Sequence, residues 1–72
     1  MKYLNYFTSL SKEDQDSYAV RAGTTGAYLR THVFAPKERR KIPRPDLIKK
    51  LADATKKKVS FDDVLSFLYK NA

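Results

Sequence analysis

The sequence predicts an all-α fold, a compact bundle of about five short helices that uses residues 1–72 as one domain. Apolar side chains recur at helical spacing in several segments, capping residues stand before those segments, and no alternating stretch is long enough for a strand. A chain of this length buries a single core, which supplies only about 3–5 kcal/mol of stability unless it is stapled. The sequence has no cysteine and one histidine, so neither a disulfide nor a thiolate metal site can add stability. Association with a second subunit is the remaining means of stabilisation.

The first two helices are separated by a capping serine. Residues 1–10 contain no proline or glycine, and four apolar side chains recur there on one helical face: Tyr3, Leu4, Phe7 and Leu10. Ser11 stands before two acids, so its hydroxyl is expected to accept from an amide of the following turn and to begin a second helix. Gly23 ends that helix, because glycine enters the left-handed conformation without steric cost.

The third helix is the weakest of the five by propensity. Thr24 or Thr25 is its expected cap, and it runs from about residue 26 to residue 32 or 34. A glycine at its start and β-branched residues near its end both disfavour helix. Residues 35–44 follow as a basic loop, because the three prolines of the chain each disfavour helix in the residue before them.

A proline and a serine open the last two helices. Pro45 suits the first turn of a fourth helix that extends to about Thr55, and the cations at residues 56–58 offset its negative end. Ser60 and Asp63 form a variant of a capping box at the start of a fifth helix, whose inward face is expected to hold Phe61, Val64, Leu65 and Leu68. Most aromatic residues fall on helical stripes and are expected in the core or in an interface: Tyr3, Phe7, Tyr18, Tyr28, Phe61 and Phe67.

The positive charge of the chain is concentrated in its middle third. The sequence has 15 Lys and Arg against 8 Asp and Glu, a formal net charge of +7. Residues 35–58 hold ten basic and three acidic side chains, whereas residues 1–34 hold four and three and residues 59–72 hold one and two. A charge run is often only a solvated face, but this excess implies an anionic partner, with nucleic acid as the first candidate and an acidic membrane surface as the second.

Residues 12–34 carry the signal of a helix-turn-helix. This motif needs a small residue where its helices meet, a glycine in the turn and an apolar anchor midway along the second helix, and Ala19, Gly23 and Leu29 have that mutual spacing. Short helix pairs joined through glycine occur in many folds, so the pattern alone is only moderately specific. The basic loop and the lysine cluster flank the motif, where phosphates would lie if its second helix entered a major groove. Together these features predict binding to double-stranded DNA.

Several short motifs follow one another in a distinctive order: Arg21-Ala22-Gly23-Thr24-Thr25, Tyr28-Leu29-Arg30, Arg40-Lys41-Ile42-Pro43-Arg44-Pro45-Asp46-Leu47, and Ala54-Thr55 followed by Lys58-Val59-Ser60. This order resembles that of the YdaS-like and Cro-type helix-turn-helix regulators of phages and prophages. The resemblance covers about residues 15–65 and implies a fold like that of lambda repressor and Cro. The chain departs from it in a longer, proline-containing basic segment and in His32 at a normally apolar position.

The resemblance implies that five residues face the DNA groove, with Gly26 and Ala27 allowing close approach of the backbone: Thr25, Gly26, Ala27, Arg30 and Thr31. Arg30 is the strongest candidate for reading a base, because a guanidinium can donate twice to guanine, a pair worth about 1–3 kcal/mol of discrimination. A contact to phosphate alone is the alternative for Arg30. The predicted phosphate-binding residues are Lys37, Arg39, Arg40, Lys41 and Arg44, whereas helix termination is the preferred interpretation of residues 56–58.

Catalysis has little support in the sequence. No nucleophile stands beside a base, no glycine-rich phosphate loop occurs, and the spacing around His32 does not resemble a metal site, so neither an enzyme nor a cofactor is expected. The N-terminus lacks the apolar core of a signal peptide and no apolar run is long enough to cross a bilayer. These features predict a cytoplasmic protein, and the resemblance to phage and prophage regulators implies a bacterial or phage-infected host in which the protein associates with the nucleoid.

Together with the predicted DNA binding, the resemblance implies a transcriptional regulator of the Cro or repressor type that occupies operator DNA. A homodimer is expected, with additional apolar surface near Phe67, Leu68 and Tyr69 as its contact. Two alternatives remain open. One is a protein-interaction module, such as a toxin, antitoxin or antirepressor, that binds an acidic partner. The other is a basic protein that binds RNA or the ribosome without sequence preference.

Overall fold

The capping residues of the sequence set the boundaries of the helices. The computed structural model describes residues 2–36, 38 and 40–70, which form helices and connecting turns without any strand. In chain order the helices are α1 (Lys2–Thr8), α2 (Lys12–Arg21), α3 (Gly26–Tyr28) continued by a π-helix (Leu29–Val33), α4 (Pro45–Asp53) and α5 (Phe61–Lys70). We refer to α3 and its π-helical continuation together as the third helix. The prediction of a small all-α bundle of about five helices is confirmed.

The core is built around aromatic side chains from α1, α5 and the end of the third helix. Tyr3 and Phe7 are the inward residues of α1, and Phe34 stacks on Phe7 with the two ring centroids 4.0 Å apart. Phe34 also contacts the rings of Tyr3 and Phe67, at centroid distances of 5.0 and 5.2 Å. The residue that leaves the third helix therefore closes the core between the first and last helices. No helix in the described part of the chain combines the length and the apolar character needed to cross a membrane.

Both ends of α2 follow the signals in the sequence. The Ser11 hydroxyl accepts a hydrogen bond from the Asp14 amide at 3.1 Å, as an N-cap does. At the other end Gly23 has a φ of +84°, in the left-handed region. The Thr24 amide donates to the Ala19 carbonyl at 2.9 Å, which closes a Schellman turn. This turn redirects the chain from α2 into the third helix.

The third helix differs from the plain α-helix predicted from the sequence. Thr25 is its N-cap, with the hydroxyl accepting from the Tyr28 amide at 3.1 Å. After one α-helical turn the backbone widens, and the Phe34 amide donates to the Leu29 carbonyl at 2.8 Å. A π turn holds one more residue than an α turn, so Leu29, Val33 and Phe34 all contribute to the core. The widened turn places Phe34 where it stacks on Phe7 in that core.

Side chains of α2 satisfy carbonyl groups at the end of α4. The Tyr18 hydroxyl donates to the Leu51 carbonyl at 2.7 Å, and Nη2 of Arg21 donates to the Ala54 carbonyl at 3.0 Å. Carbonyls in the last turn of a helix have no partner within the helix, so these bonds both cap α4 and fix α2 against it. The Tyr18 hydroxyl also lies 2.8 Å from that of Tyr3. Because Tyr18 gives its only hydroxyl proton to Leu51, Tyr3 is the donor in that second bond.

Thr55 organises the turn between α4 and α5. Its buried hydroxyl donates to the Ala52 carbonyl at 2.7 Å and accepts from the Val59 amide at 3.1 Å. Lys56 and Lys57 then adopt left-handed conformations, with φ of 57° and 70°. These conformations lie in the turn that follows α4. That helix ends at Asp53, two residues before the predicted end.

The predicted capping box opens α5. The Asp63 amide donates to the Ser60 hydroxyl at 3.0 Å, and the Ser60 amide donates to the Asp63 carboxylate at 3.3 Å. Hydrogen bonds from Ser60, with a smaller contribution from the Lys2 ammonium 3.8 Å away, hold the pKa of Asp63 below its usual value. The acid is thereby kept ionised at the positive end of the helix, where its charge is favourable.

The burial of side chains on α5 contradicts two expectations from the sequence. Phe67 and Leu68 are buried, with 1% and 0% of their surface exposed, so the prediction that they supply a dimer surface is wrong. They pack in the core instead, because α5 lies against both α1 and α4. Phe61 was expected to face inward but is 42% exposed, and Tyr69 is 58% exposed. Of the three residues proposed for the dimer contact, only Tyr69 is accessible to a partner.

Candidate nucleic-acid interface

α2 and the third helix pack against each other and are joined by a short turn, in the order that the predicted helix-turn-helix requires. Ala19 and Leu29 are fully buried, and Gly23 provides the left-handed turn between them. The three positions selected in the sequence therefore have the burial and the backbone conformation that the prediction assigned to them. The outer surface of the third helix is the candidate nucleic-acid interface.

The five residues predicted to face a DNA groove do not share one environment. Ala27 and Thr31 are exposed. Thr25 is also exposed, but its hydroxyl oxygen is engaged in capping the third helix. Arg30 is half-buried and Gly26 is buried. The surface open to a partner is therefore narrower than the sequence indicated.

Two residues of α2 hold the Arg30 side chain. Its Nη2 lies 3.1 Å from Oδ1 of Asp16 in a salt bridge, and its Nη1 donates to Oε1 of Gln15 at 3.2 Å. The side chains of Arg30 and Asp16 are 34% and 49% exposed. Arg30 is accordingly an oriented guanidinium at the edge of the interface and not a mobile surface cation.

Gly26 makes room for this salt bridge. A Cβ at position 26 would collide with Oδ1 of Asp16 and would come within 2.9 Å of Nη1 of Arg30. The expectation that Gly26 lets DNA approach the backbone closely is therefore corrected. Its missing side chain serves the contact between α2 and the third helix, and the space is already filled by the Asp16 carboxylate.

Two of the predicted phosphate-binding residues are exposed cations beside the third helix. The Lys41 amide donates to the His32 carbonyl at 2.8 Å, which ties the basic loop to the end of that helix. Arg44 is the N-cap residue of α4 and makes no side-chain capping bond. Neither Lys41 nor Arg44 forms a salt bridge within residues 2–36, 38 and 40–70. Lys37 and Arg39 lie outside the described residues.

Arg40, the remaining predicted phosphate ligand, packs into the fold. Its guanidinium carbon lies 4.8 Å from the centroid of the Phe67 ring, and its Nη2 donates to the Ala35 carbonyl at 3.1 Å. These contacts fasten the basic loop to α5, so we assign Arg40 to the structure of the loop and do not count it among the phosphate ligands. The sequence could not separate it from its basic neighbours, because only the position of Phe67 in space distinguishes them.

An open cleft lies between the third helix and the start of α4. Its volume is about 320 Å³, and its lining residues are Ala22, Gly23, Tyr28, Arg44, Asp46, Leu47 and Lys50. Arg44 and Lys50 are exposed on the α4 side, and Asp46 complements the positive end of α4. Lys50 was not among the predicted phosphate ligands, since in the sequence it is one polar residue of an amphipathic helix. Cations therefore lie at both ends of the third helix, with Lys41 at its end and Arg44 and Lys50 beside its first turn.

Sequence reasoning did not identify Gln15 and Asp16 as part of the site. The signal that could have found them is Gly26, because glycine disfavours helix and no positive φ is needed at this position. Such a glycine indicates that another group occupies the space of a side chain. Which group does so depends on how α2 approaches the third helix, and this is a property of the tertiary structure.

Neither a metal-binding cluster among the described residues nor a similar known protein helps to assign the role of this site. Residues 2–36, 38 and 40–70 contain no group of three or more His, Asp or Glu side chains that could hold a metal ion. Comparison of the chain with protein-family models, with curated proteins and with solved structures found no match. Function is therefore inferred from the geometry and charge of the site itself.

Proposed function

We propose that this protein is a sequence-specific DNA-binding regulator of the Cro or repressor type, whose third helix enters the major groove of double-stranded DNA. The observation that carries the proposal is the packed helix-turn-helix with Ala27 and Thr31 on its outer side and with Lys41 and Arg44 at its two ends. A helix in the major groove lies between two phosphate strands, so cations that border the helix can contact phosphates. Occupation of an operator would exclude polymerase or a competing repressor by steric hindrance.

The position of Arg44 favours an anionic partner over a purely structural role. The N-terminal end of a helix carries partial positive charge, so a cation there is unfavourable for the helix. Asp, Asn, Ser or Thr would cap α4, whereas Arg44 makes no capping bond. Because α4 gains nothing from this charge, we attribute it to phosphate binding. Lys50, on the same side of the cleft, would extend the phosphate contact.

We further propose that two copies bind an inverted repeat. The third helix of a single copy is long enough to contact only a few base pairs. This limits the affinity and the specificity of that copy for DNA. Two half-sites separated by one helical turn of DNA, about 34–36 Å, would combine two such contacts. An enriched repeat with that spacing is therefore expected from a selection experiment.

The proposal is tested by selection from random duplex DNA with the purified protein. We expect an enriched, inverted-repeat sequence that binds at least about a thousandfold more tightly than scrambled duplex at the same salt concentration. Equal binding to structured RNA and to all duplexes would support the RNA-binding alternative and contradict the proposal. Absence of binding to any nucleic acid would favour the interaction-module alternative.

Variants of the flanking cations locate the interface on the protein. Arg44→Ala should weaken binding to every duplex and should reduce the slope of log K against log salt by about 0.9, the value for one phosphate contact. Lys58→Ala is the matched control, because it removes the same charge from the exposed turn between α4 and α5. Equal effects of the two substitutions would show that only net charge matters and would contradict the assigned interface.

A further inference from the structure

The salt bridge between Asp16 and Arg30 contributes little to the stability of the fold. Both side chains are substantially exposed, at 49% and 34%, and solvent screens an ion pair in such a position. Two neighbouring residues are nonetheless arranged around it. Gly26 lacks the Cβ that would displace the carboxylate, and Gln15 accepts from the second nitrogen of the guanidinium.

Gln15 is itself held in place by α1 and the turn that follows it. Its Nε2 donates to the carbonyls of Phe7 and Leu10, at 3.2 and 3.4 Å, which directs its Oε1 toward Arg30. The guanidinium therefore donates from Nη1 to the oriented amide of Gln15 and from Nη2 to the carboxylate of Asp16. An arginine side chain has many rotamers, and these two contacts remove most of that freedom before any partner arrives.

Holding Arg30 in this way leaves it able to donate. A guanidinium has further N–H groups beyond the two that Gln15 and Asp16 accept, and about a third of the side chain is accessible to solvent. A donor that is already ordered loses less conformational entropy on binding. An oriented planar donor also distinguishes guanine from other bases better than a mobile one, because the bidentate contact depends on geometry.

We propose that Asp16 is a specificity-determining positioning residue, which holds the Arg30 guanidinium in the orientation that reads a base in the major groove. This inference rests on the proposed function and adds to it. Asp16 acts through Arg30, because its Oδ1 is engaged with Nη2 of the guanidinium. Gly26 and Gln15 serve the same orientation.

The proposal makes a prediction opposite in sign to simple electrostatics. Asp16→Asn removes a negative charge near the DNA and should by charge alone tighten binding to every duplex. If Asp16 positions Arg30, the substitution should instead reduce the ratio of selected-site to scrambled-site affinity, toward the loss of at least fivefold that removal of the arginine-guanine pair by Arg30→Ala would cause. Binding to scrambled duplex should be unchanged or tighter.

The test measures dissociation constants for the selected and the scrambled duplex at one salt concentration. The variants are Asp16→Asn, Arg30→Ala, the double variant and, as matched control, Glu13→Gln, which removes one exposed charge from the same helix. We expect the double variant to lose no more specificity than Arg30→Ala alone, and the control to keep the full ratio. Repeating the selection with Asp16→Asn should relax the preference at a single base-pair position in each half-site.

The possible outcomes separate this inference from the function on which it rests. If the wild-type protein shows no sequence preference, the proposed function fails and the inference with it. If the wild-type protein is specific and Asp16→Asn keeps the full ratio, or tightens both duplexes equally, the inference alone is overturned. Gly26→Ala provides a second variant, and if its thermal unfolding shows a folded protein it should lose specificity as Asp16→Asn does.

Discussion

Tyr18 is expected to be among the most sensitive residues of this domain, although only one atom changes when it is replaced by phenylalanine. Its hydroxyl donates to the Leu51 carbonyl at 2.7 Å and accepts from the Tyr3 hydroxyl at 2.8 Å. Both tyrosines are fully buried, so water cannot replace either bond. Tyr18→Phe therefore leaves a carbonyl at the end of α4 and the hydroxyl of Tyr3 without their partner.

The two tyrosines should differ in how much each hydroxyl contributes. A buried polar group left unsatisfied costs about 1–3 kcal/mol, so Tyr18→Phe should lower the free energy of unfolding by about 2–4 kcal/mol. Tyr3→Phe removes one bond but leaves Tyr18 bonded to Leu51, and should cost only about 0.5–1.5 kcal/mol. A domain of this size has about 3–5 kcal/mol available, so Tyr18→Phe should leave it only marginally folded.

Thermal and urea unfolding followed by circular dichroism would measure these differences. The expected melting temperature falls by about 4–8 °C for each kcal/mol in a domain of this size. Tyr69→Phe, at a residue 58% exposed, is the matched control and should have no effect. Equal losses for Tyr3→Phe and Tyr18→Phe, or a neutral Tyr18→Phe, would refute the bond direction and the capping role derived above.

Three other predictions concern the stability of the fold. Burial raises the pKa of Tyr3 and Tyr18 well above the ordinary value near 10, with Tyr3 adding to the shift of Tyr18. A raised pKa in the folded state means that the contribution of these hydroxyls is fully present below about pH 10 and declines above it. Melting temperature should therefore fall from about pH 10 upward, and a flat profile to pH 11.5 would contradict the burial of both groups. Gly23→Ala should cost about 1–2 kcal/mol, because φ is +84° while the space around a Cβ is empty; Gly23→Asn, which tolerates this conformation better, should cost less in the same unfolding assay. Arg40→Ala should cost about 1–3 kcal/mol by removing the contact with Phe67 and the bond to Ala35, and a wild-type melting temperature for Arg40→Lys would show that charge alone accounts for the residue.

The local signals of the sequence predicted the helix boundaries well. Ser11, Thr25 and Ser60 cap the helices that follow them, and Gly23 takes the left-handed conformation expected of a helix stop. These features depend on bonds between residues at most a few positions apart, so short-range chemistry is sufficient to predict them. The spacing of Ala19, Gly23 and Leu29 likewise predicted which helix faces pack together.

The roles of the basic and glycine residues were predicted less well. Arg40 and Arg44 are both arginines in one basic loop, yet the first packs on Phe67 and the second is exposed at the start of α4. Gly26 was interpreted as an approach for DNA, whereas it accommodates the Asp16 carboxylate. In each case the deciding neighbour is distant in sequence and its position follows from the packing of whole helices.

By itself, the sequence determined the helical class, the capping sites, the turn at Gly23 and the concentration of positive charge in residues 35–58. These properties are additive or local, so they can be obtained from residue types and their spacing. Only the tertiary structure decided that the third helix widens into a π-helix at Phe34 and that Arg30 is held by Asp16 and Gln15. Those features exist because close packing allows few arrangements of side chains brought together from separate helices.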